Sequence, residues 1–137
     1  MGRPGRPQRL KLLLDTHALV WWLNDSPRLG REAEECISDA TNEVWVSAVS
    51  AFEIAQKFRL GKMPSAERLA RRFDAEVSDE GFSSLSISAG EARLAGLMPG
   101  DHRDPFDRML IAQAMLNDLT LVSNERLFDA FGVSRLW

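Results

Sequence analysis

Short β-prone runs separated by helical stretches constrain this chain most, because an ordered alternation of strand and helix is the pattern of an α/β layer fold with a largely parallel sheet. The runs are Lys11 to Leu14, Glu43 to Ser47, Ser83 to Ile87, Leu119 to Val122 and Val133 to Trp137, which gives a sheet of about five strands. Between them the periodicity predicts helices over His17 to Leu23, Arg28 to Ala40, Ser50 to Leu60, Ser65 to Val77, a stretch through Glu91 to Ala95, Phe106 to Leu116 and Glu125 to Phe131. The helix from Phe106 is the most apolar, with little polar surface, so it should pack centrally. The length, 137 residues, suits a single domain over 11–137. Residues 1–10, basic and rich in Pro and Gly, are expected to form a disordered arm rather than a signal peptide.

Composition excludes several classes. A formal net charge of −3 gives no global attraction to nucleic acid, so a polyanion would have to be gripped locally. No apolar run approaches a membrane span. The lone Cys36 has no internal bridging partner and reads as an ordinary helix residue, which points to an intracellular, cytoplasmic setting.

The acids carry the functional signal. Asp15, Glu53, Asp104 with Asp107, and Glu125 each fall where a strand ends or a helix begins. In a parallel sheet those points share one edge, so carboxylates far apart in sequence meet in one crevice. Crowded carboxylates repel one another and resist desolvation, so they take up protons or gather a cation. Local explanations compete with this one. Ser50-Ala-Phe-Glu53 has capping-box spacing, Asp104-Pro-Phe-Asp107 matches an N-cap followed by Pro at the first helical position, and Glu125 could simply satisfy a helix dipole. Asp15 is harder to explain structurally, since it directly follows a buried apolar strand.

The stretches Leu13-Leu-Asp15-Thr-His17, Val46-Ser-Ala-Val-Ser-Ala-Phe-Glu53-Ile-Ala55, Asp104-Pro-Phe-Asp107-Arg-Met-Leu-Ile-Ala-Gln-Ala114 and Leu121-Val-Ser-Asn-Glu125-Arg-Leu-Phe128 together resemble the PIN-domain ribonucleases, specifically the VapC-type toxins of bacterial toxin–antitoxin pairs. The likeness runs from about Lys11 to Trp137. It implies a three-layer fold and a Mg²⁺- or Mn²⁺-dependent endoribonuclease that inhibits translation, with an RNA substrate, a cognate VapB-like antitoxin and a homodimer. It also implies that Asp15, Glu53 and Asp107 are the central metal-binding and catalytic acids, with Glu125 at a fourth position where the family more often has Asp. Asp104 borders the site as an N-cap or a direct ligand, and Thr16 and Ser47 line the pocket or merely cap.

The chemistry suits such acids. Mg²⁺ and Mn²⁺ prefer oxygen ligands, and two ions roughly 3.5–4 Å apart would activate a water and stabilise the leaving oxygen of a phosphodiester. Empty carboxylates would repel the RNA backbone, so metal loading should gate substrate binding too. Arg108 is expected to meet a phosphate or pair with an acid, and Lys57, Arg59 and Lys62 are candidate RNA contacts. His17 and His102 lack zinc-site spacing and read as surface or edge residues. Of the adjacent Trp21 and Trp22, at least one should be core and the other could face a partner. Two rival functions differ in class. A phosphatase with an aspartyl nucleophile would use Asp15 but usually has a second Asp where His17 stands; a non-catalytic binding domain would use the acids only as caps.

Overall fold

The computed structural model of the protein describes residues 9–137. Most of the expected basic arm, residues 1–8, lies outside the described residues. Its last two positions are tied down: Arg9 pairs with Glu43 at 2.7 Å, and the Leu10 amide donates to the Asn42 side chain at 2.9 Å.

The strands are β1 (Lys11–Leu14), β2 (Glu43–Ser47), β3 (Ser83–Leu85), β4 (Thr120–Val122) and β5 (Arg135–Leu136). They form one sheet in the order β3-β2-β1-β4-β5, and every pairing is parallel. The helices are α1 (Thr16–Leu23), α2 (Arg31–Ser38), α3 (Ala48–Arg59), α4 (Glu67–Asp79), α5 (Ala89–Leu97) and α6 (Pro105–Leu116), with 3-10 turns at Pro64–Ala66 and Arg126–Phe131.

Central β1 is apolar on both faces because both are covered. Leu12 and Leu14 join a core with residues of α1, α2, α3 and α4, whereas Leu13 joins a second core with α5, α6 and the Arg126–Phe131 turn. The apolar α6 packs in that second core, as its sequence predicts, with Leu110, Ile111, Ala112 and Ala114 buried. Trp21 and Trp22 are both half-buried against the first core; neither is fully enclosed. Trp137 sits edge-on to Trp21 at 5.7 Å between ring centroids and closes over Gly30, where a Cβ would lie 2.6 Å from the indole. That contact explains why a glycine precedes α2.

Several boundaries differ from expectation for local reasons. Helix α3 begins after Ser47, whose hydroxyl accepts from the Val49 amide at 2.9 Å, so Ser50 is not its cap. Helix α2 is shorter than the expected Arg28 to Ala40, because Ser26–Arg28 is occupied by a side-chain-capped turn. The expected helix from Ser65 is interrupted at Arg72, where φ is −139° and ψ 42°.

From β1 the chain moves outward to β2 and β3, then crosses back to place β4 on the other side of β1. The crevice at the carboxyl ends of β1 and β4 is therefore the switch point at which open α/β sheets hold ligands.

Candidate active site

The Asp15 amide donates to the Val122 carbonyl at 3.0 Å, which places Asp15 at this switch point. Asp15 is also the N-cap of α1, accepting from the Ala18 amide at 2.8 Å. It is only 8% exposed. Burial pushes its carboxyl from 3.8 up to about 6; hydrogen bonds from Ser123 and the Ala18 amide oppose the rise, and the Asp107 charge adds to it.

Glu53 stands in the second turn of α3, buried, and outside any capping box because the cap is three residues earlier than the sequence spacing suggests. The capping explanation of this glutamate is thereby removed. Its Oε1 accepts from the Thr16 hydroxyl at 2.6 Å, and Thr16 also contacts the Ser50 hydroxyl at 3.0 Å. Its Oε2 accepts from the Lys57 ammonium one turn on, at 2.6 Å. Thr16 thus holds one oxygen of the Glu53 carboxylate.

Asp107 lies in the first turn of α6. Burial is again the main cause raising its carboxyl above the ordinary range, with the Asp104 and Glu53 charges adding to it and a hydrogen bond from His102 opposing. Asp15 therefore feels Asp107, and Asp107 feels Glu53. Three chain segments bring these acids within electrostatic reach of one another at one edge of the sheet.

The remaining expected residues divide. Asp104 is the N-cap of α6, accepting from the Phe106 and Asp107 amides at 2.9 and 3.2 Å, and it borders the site through its charge on Asp107. Glu125 caps the Arg126–Phe131 turn by accepting from the Leu127 amide at 3.2 Å. Ser47 donates to the Gln113 side chain at 2.5 Å, a partner on the helix that carries Asp107. Arg108, expected to meet a phosphate or an acid, pairs with no acid among the described residues: its guanidinium donates to the backbone carbonyls of Ala95 and His102, both at 2.8 Å, and of Met98. Lys57 is engaged by Glu53, whereas Arg59 and Lys62 are exposed at the far end of α3, with Arg59 about 9 Å along the helix axis from Glu53.

Sequence reasoning missed His102 and Ser123. His102 is not a surface residue: its Nε2 lies 2.8 Å from Asp107 Oδ2, and its ring is enclosed by Phe128 and Phe131. Ser123 follows β4 directly, as Asp15 follows β1, and that equivalence was the signal available for it.

As the side chains stand, no three Asp, Glu, His or Cys groups among the described residues are arranged to hold a metal ion. The reason is visible in the hydrogen bonds, since each acid is turned onto a protein donor: Asp15 onto Ala18, Glu53 onto Thr16 and Lys57, Asp107 onto His102. The donor set nevertheless fits a hard divalent cation. It is made of carboxylate oxygens, two of the acids have raised pKa values with Asp15 buried and Asp107 half-buried, and rotating Glu53 off Lys57 frees a further oxygen.

The sequence matches the model of the PIN domain over residues 12–133. The chain belongs to the PIN-domain family. It is 30% identical over 118 residues to Ribonuclease VapC22 of Mycobacterium tuberculosis, covering 84% of this chain and 87% of that one. PIN-domain nucleases of this type are hydrolases acting on RNA and are generally dependent on a divalent metal. Similar folds are found in the crystal structure of VapBC2 from Rickettsia felis bound to a promoter DNA fragment (TM-score 0.68, 17% identity, covering 93% of this chain and 98% of that one). FitAcB from Neisseria gonorrhoeae gives a TM-score of 0.62 at 19% identity, over 92% of this PIN domain chain and 96% of the other. VapBC-1 from nontypeable Haemophilus influenzae gives 0.63 at 12% identity, over 93% and 97%. Among the described residues no helix is long and apolar enough to cross a membrane.

Proposed function

We propose that this PIN domain is a Mg²⁺- or Mn²⁺-dependent endoribonuclease, the toxin of a toxin–antitoxin pair, acting in the cytoplasm as a homodimer and restrained by a VapB-like antitoxin. The observation that carries the reading is the pair of raised carboxyls at the switch point, buried Asp15 and half-buried Asp107, within reach of one another's charge and with buried Glu53 acting on Asp107. A protein that needed these acids only as caps would have no reason to crowd them, because each pays a desolvation cost that its neighbours increase.

Asp15, Glu53 and Asp107 are the residues that would hold the divalent ions, which supply activation of a water and stabilisation of the leaving oxygen at a phosphodiester. Asp15 is fixed by the β1–β4 pairing and by the α1 amide, so its carboxyl is held at the switch point without further ordering. Thr16 holds one Glu53 oxygen, so the oxygen now on Lys57 is the one that would serve a metal. Away from Glu53, the Lys57 side chain would be able to face substrate phosphate, in keeping with its candidacy as an RNA contact. Glu125 would join through a change of side-chain conformation, since its carboxylate now caps a turn. The aspartyl-phosphatase alternative is disfavoured: the residue two after Asp15 is the exposed His17, stacked on Trp21 at 5.3 Å.

The test is cleavage of total cellular RNA by the purified full chain, freed of any copurifying antitoxin, with and without Mg²⁺ or Mn²⁺. Metal-dependent cuts that disappear in Asp107→Asn support the proposal and map the target. No metal-dependent cleavage, or equal cleavage by Asp107→Asn, overturns it.

A further inference from the structure

We propose that His102 is a positioning residue for Asp107, holding one carboxylate oxygen so that the other is presented to the metal; the inference rests on the nuclease reading above. His102 lies in the segment joining α5 to α6. Its Nε2 is 2.8 Å from Asp107 Oδ2, and an ionised carboxylate only accepts, so the ring nitrogen carries the proton of this bond. Among the described residues Oδ1 of Asp107 has no hydrogen-bond donor, which makes it the oxygen left for a ligand.

The ring has little freedom to turn. Phe128 meets it edge-on at 5.5 Å between centroids and 85°, and Phe131 at 6.4 Å and 88°. The backbone of the same residue is held as well, since its carbonyl accepts from Arg108, whose guanidinium also binds the Ala95 and Met98 carbonyls and lies 5.7 Å from the Phe131 ring. Gly100 allows the close approach: its φ is +128°, and a Cβ there would come 3.3 Å from Phe131. Arg108 and the two phenylalanines thus form a frame whose single polar product is an N–H aimed at Asp107.

The contrast with Glu53 gives this bond its meaning. Lys57 takes Oε2 of Glu53 directly at 2.6 Å, so a metal on that oxygen would have to displace it. The His102 ring nitrogen holds only Oδ2 of Asp107 and leaves Oδ1 without a protein donor among the described residues. Hydrogen-bonding partners of metal-binding groups typically contribute about 10- to 100-fold in metal affinity or activity.

Two substitutions in the full chain separate the donor from the ring. His102→Phe keeps aromatic packing against Phe128 and Phe131 but removes the N–H, whereas His102→Gln keeps a donor at a similar reach and loses the ring. Mn²⁺ affinity by calorimetry, kcat and KM for RNA cleavage, and thermal melting are measured for each. The expected result is a loss of about 10-fold or more in Mn²⁺ affinity and kcat for His102→Phe, with RNA KM unchanged, and near-wild-type values for His102→Gln. The inference is overturned if His102→Phe binds Mn²⁺ and cuts like wild type, or if His102→Gln is impaired as much as His102→Phe. If the unaltered chain neither binds Mn²⁺ nor cuts RNA, the nuclease reading falls and this inference with it. If the unaltered chain does both and His102→Phe matches it, only the role of His102 falls.

Discussion

Two regions of this molecule bury carboxylates and treat them in opposite ways. Glu91, on α5 and 6% exposed, accepts from the Ser88 amide at 2.9 Å, from Gln113 at 3.1 Å and from Asn117 at 2.8 Å. Burial alone would raise its carboxyl, but these hydrogen bonds outweigh it and hold the group below the ordinary range. Asp15 and Asp107, at the switch point, move upward because burial outweighs their hydrogen bonds, with the charges of neighbouring acids adding to the rise. A buried acid that serves the fold is surrounded by donors until its charge is comfortable. One kept for a cation is left short of them.

The sharpest way to break this contrast is to remove a charge from each region. Asp107→Asn is expected to lower single-turnover RNA cleavage on the order of 10³-fold, the equivalent of several kcal/mol of lost charge stabilisation, while the urea midpoint of the metal-free protein does not fall. Glu91→Ala should do the reverse. It leaves the Ser88 amide without its acceptor and takes one of two acceptors from Gln113 and Asn117, and destabilises the fold by about 3 kcal/mol in urea, with cleavage per folded molecule unchanged.

The pH dependence sharpens the comparison. Because the folded pKa of Asp15 is raised from 3.8 to about 6, its contribution favours the metal-free fold most below about 4 and is lost as pH rises through about 6. Asp15→Asn keeps a capping side chain without the charge, so at pH 7 it should be more stable than wild type by up to about 3 kcal/mol and should lack that pH slope. The matching expectation is that Mn²⁺ affinity of the wild type falls as pH drops below about 6, since protons then compete for the same oxygens. The smallest effect is expected at Lys57→Met. Removing this partly exposed ammonium should cost less than about 1 kcal/mol of metal-free stability and strengthen Mn²⁺ binding several-fold, seen by calorimetry.

How far the sequence reveals all this depends on how local the cause is. β1 and β2 have the expected bounds because their apolar runs are cut off by Asp15 and by the capping Ser47. The Asp104 cap was legible because its partners are two and three residues away. The α3 start was less so: Ser47 and Ser50 are both capable caps, and which one acts depends on where β2 ends. The interruption at Arg72 leaves no mark in the helical pattern. For His102 the deciding walls are Phe128 and Phe131, more than twenty residues on, so spacing rules designed for paired metal ligands could not find it. The partners of Arg108 were illegible for the same reason, because these carbonyls belong to a backbone path that only the folded α5–α6 connection creates.

The central claim is that Asp15, Glu53 and Asp107 together take a divalent cation. An anomalous difference map from crystals of the full chain soaked in Mn²⁺ tests it most directly. The account predicts a peak between these three carboxylates, with Glu53 turned away from Lys57. Peaks found only elsewhere, with the Glu53–Lys57 pair intact, would contradict it.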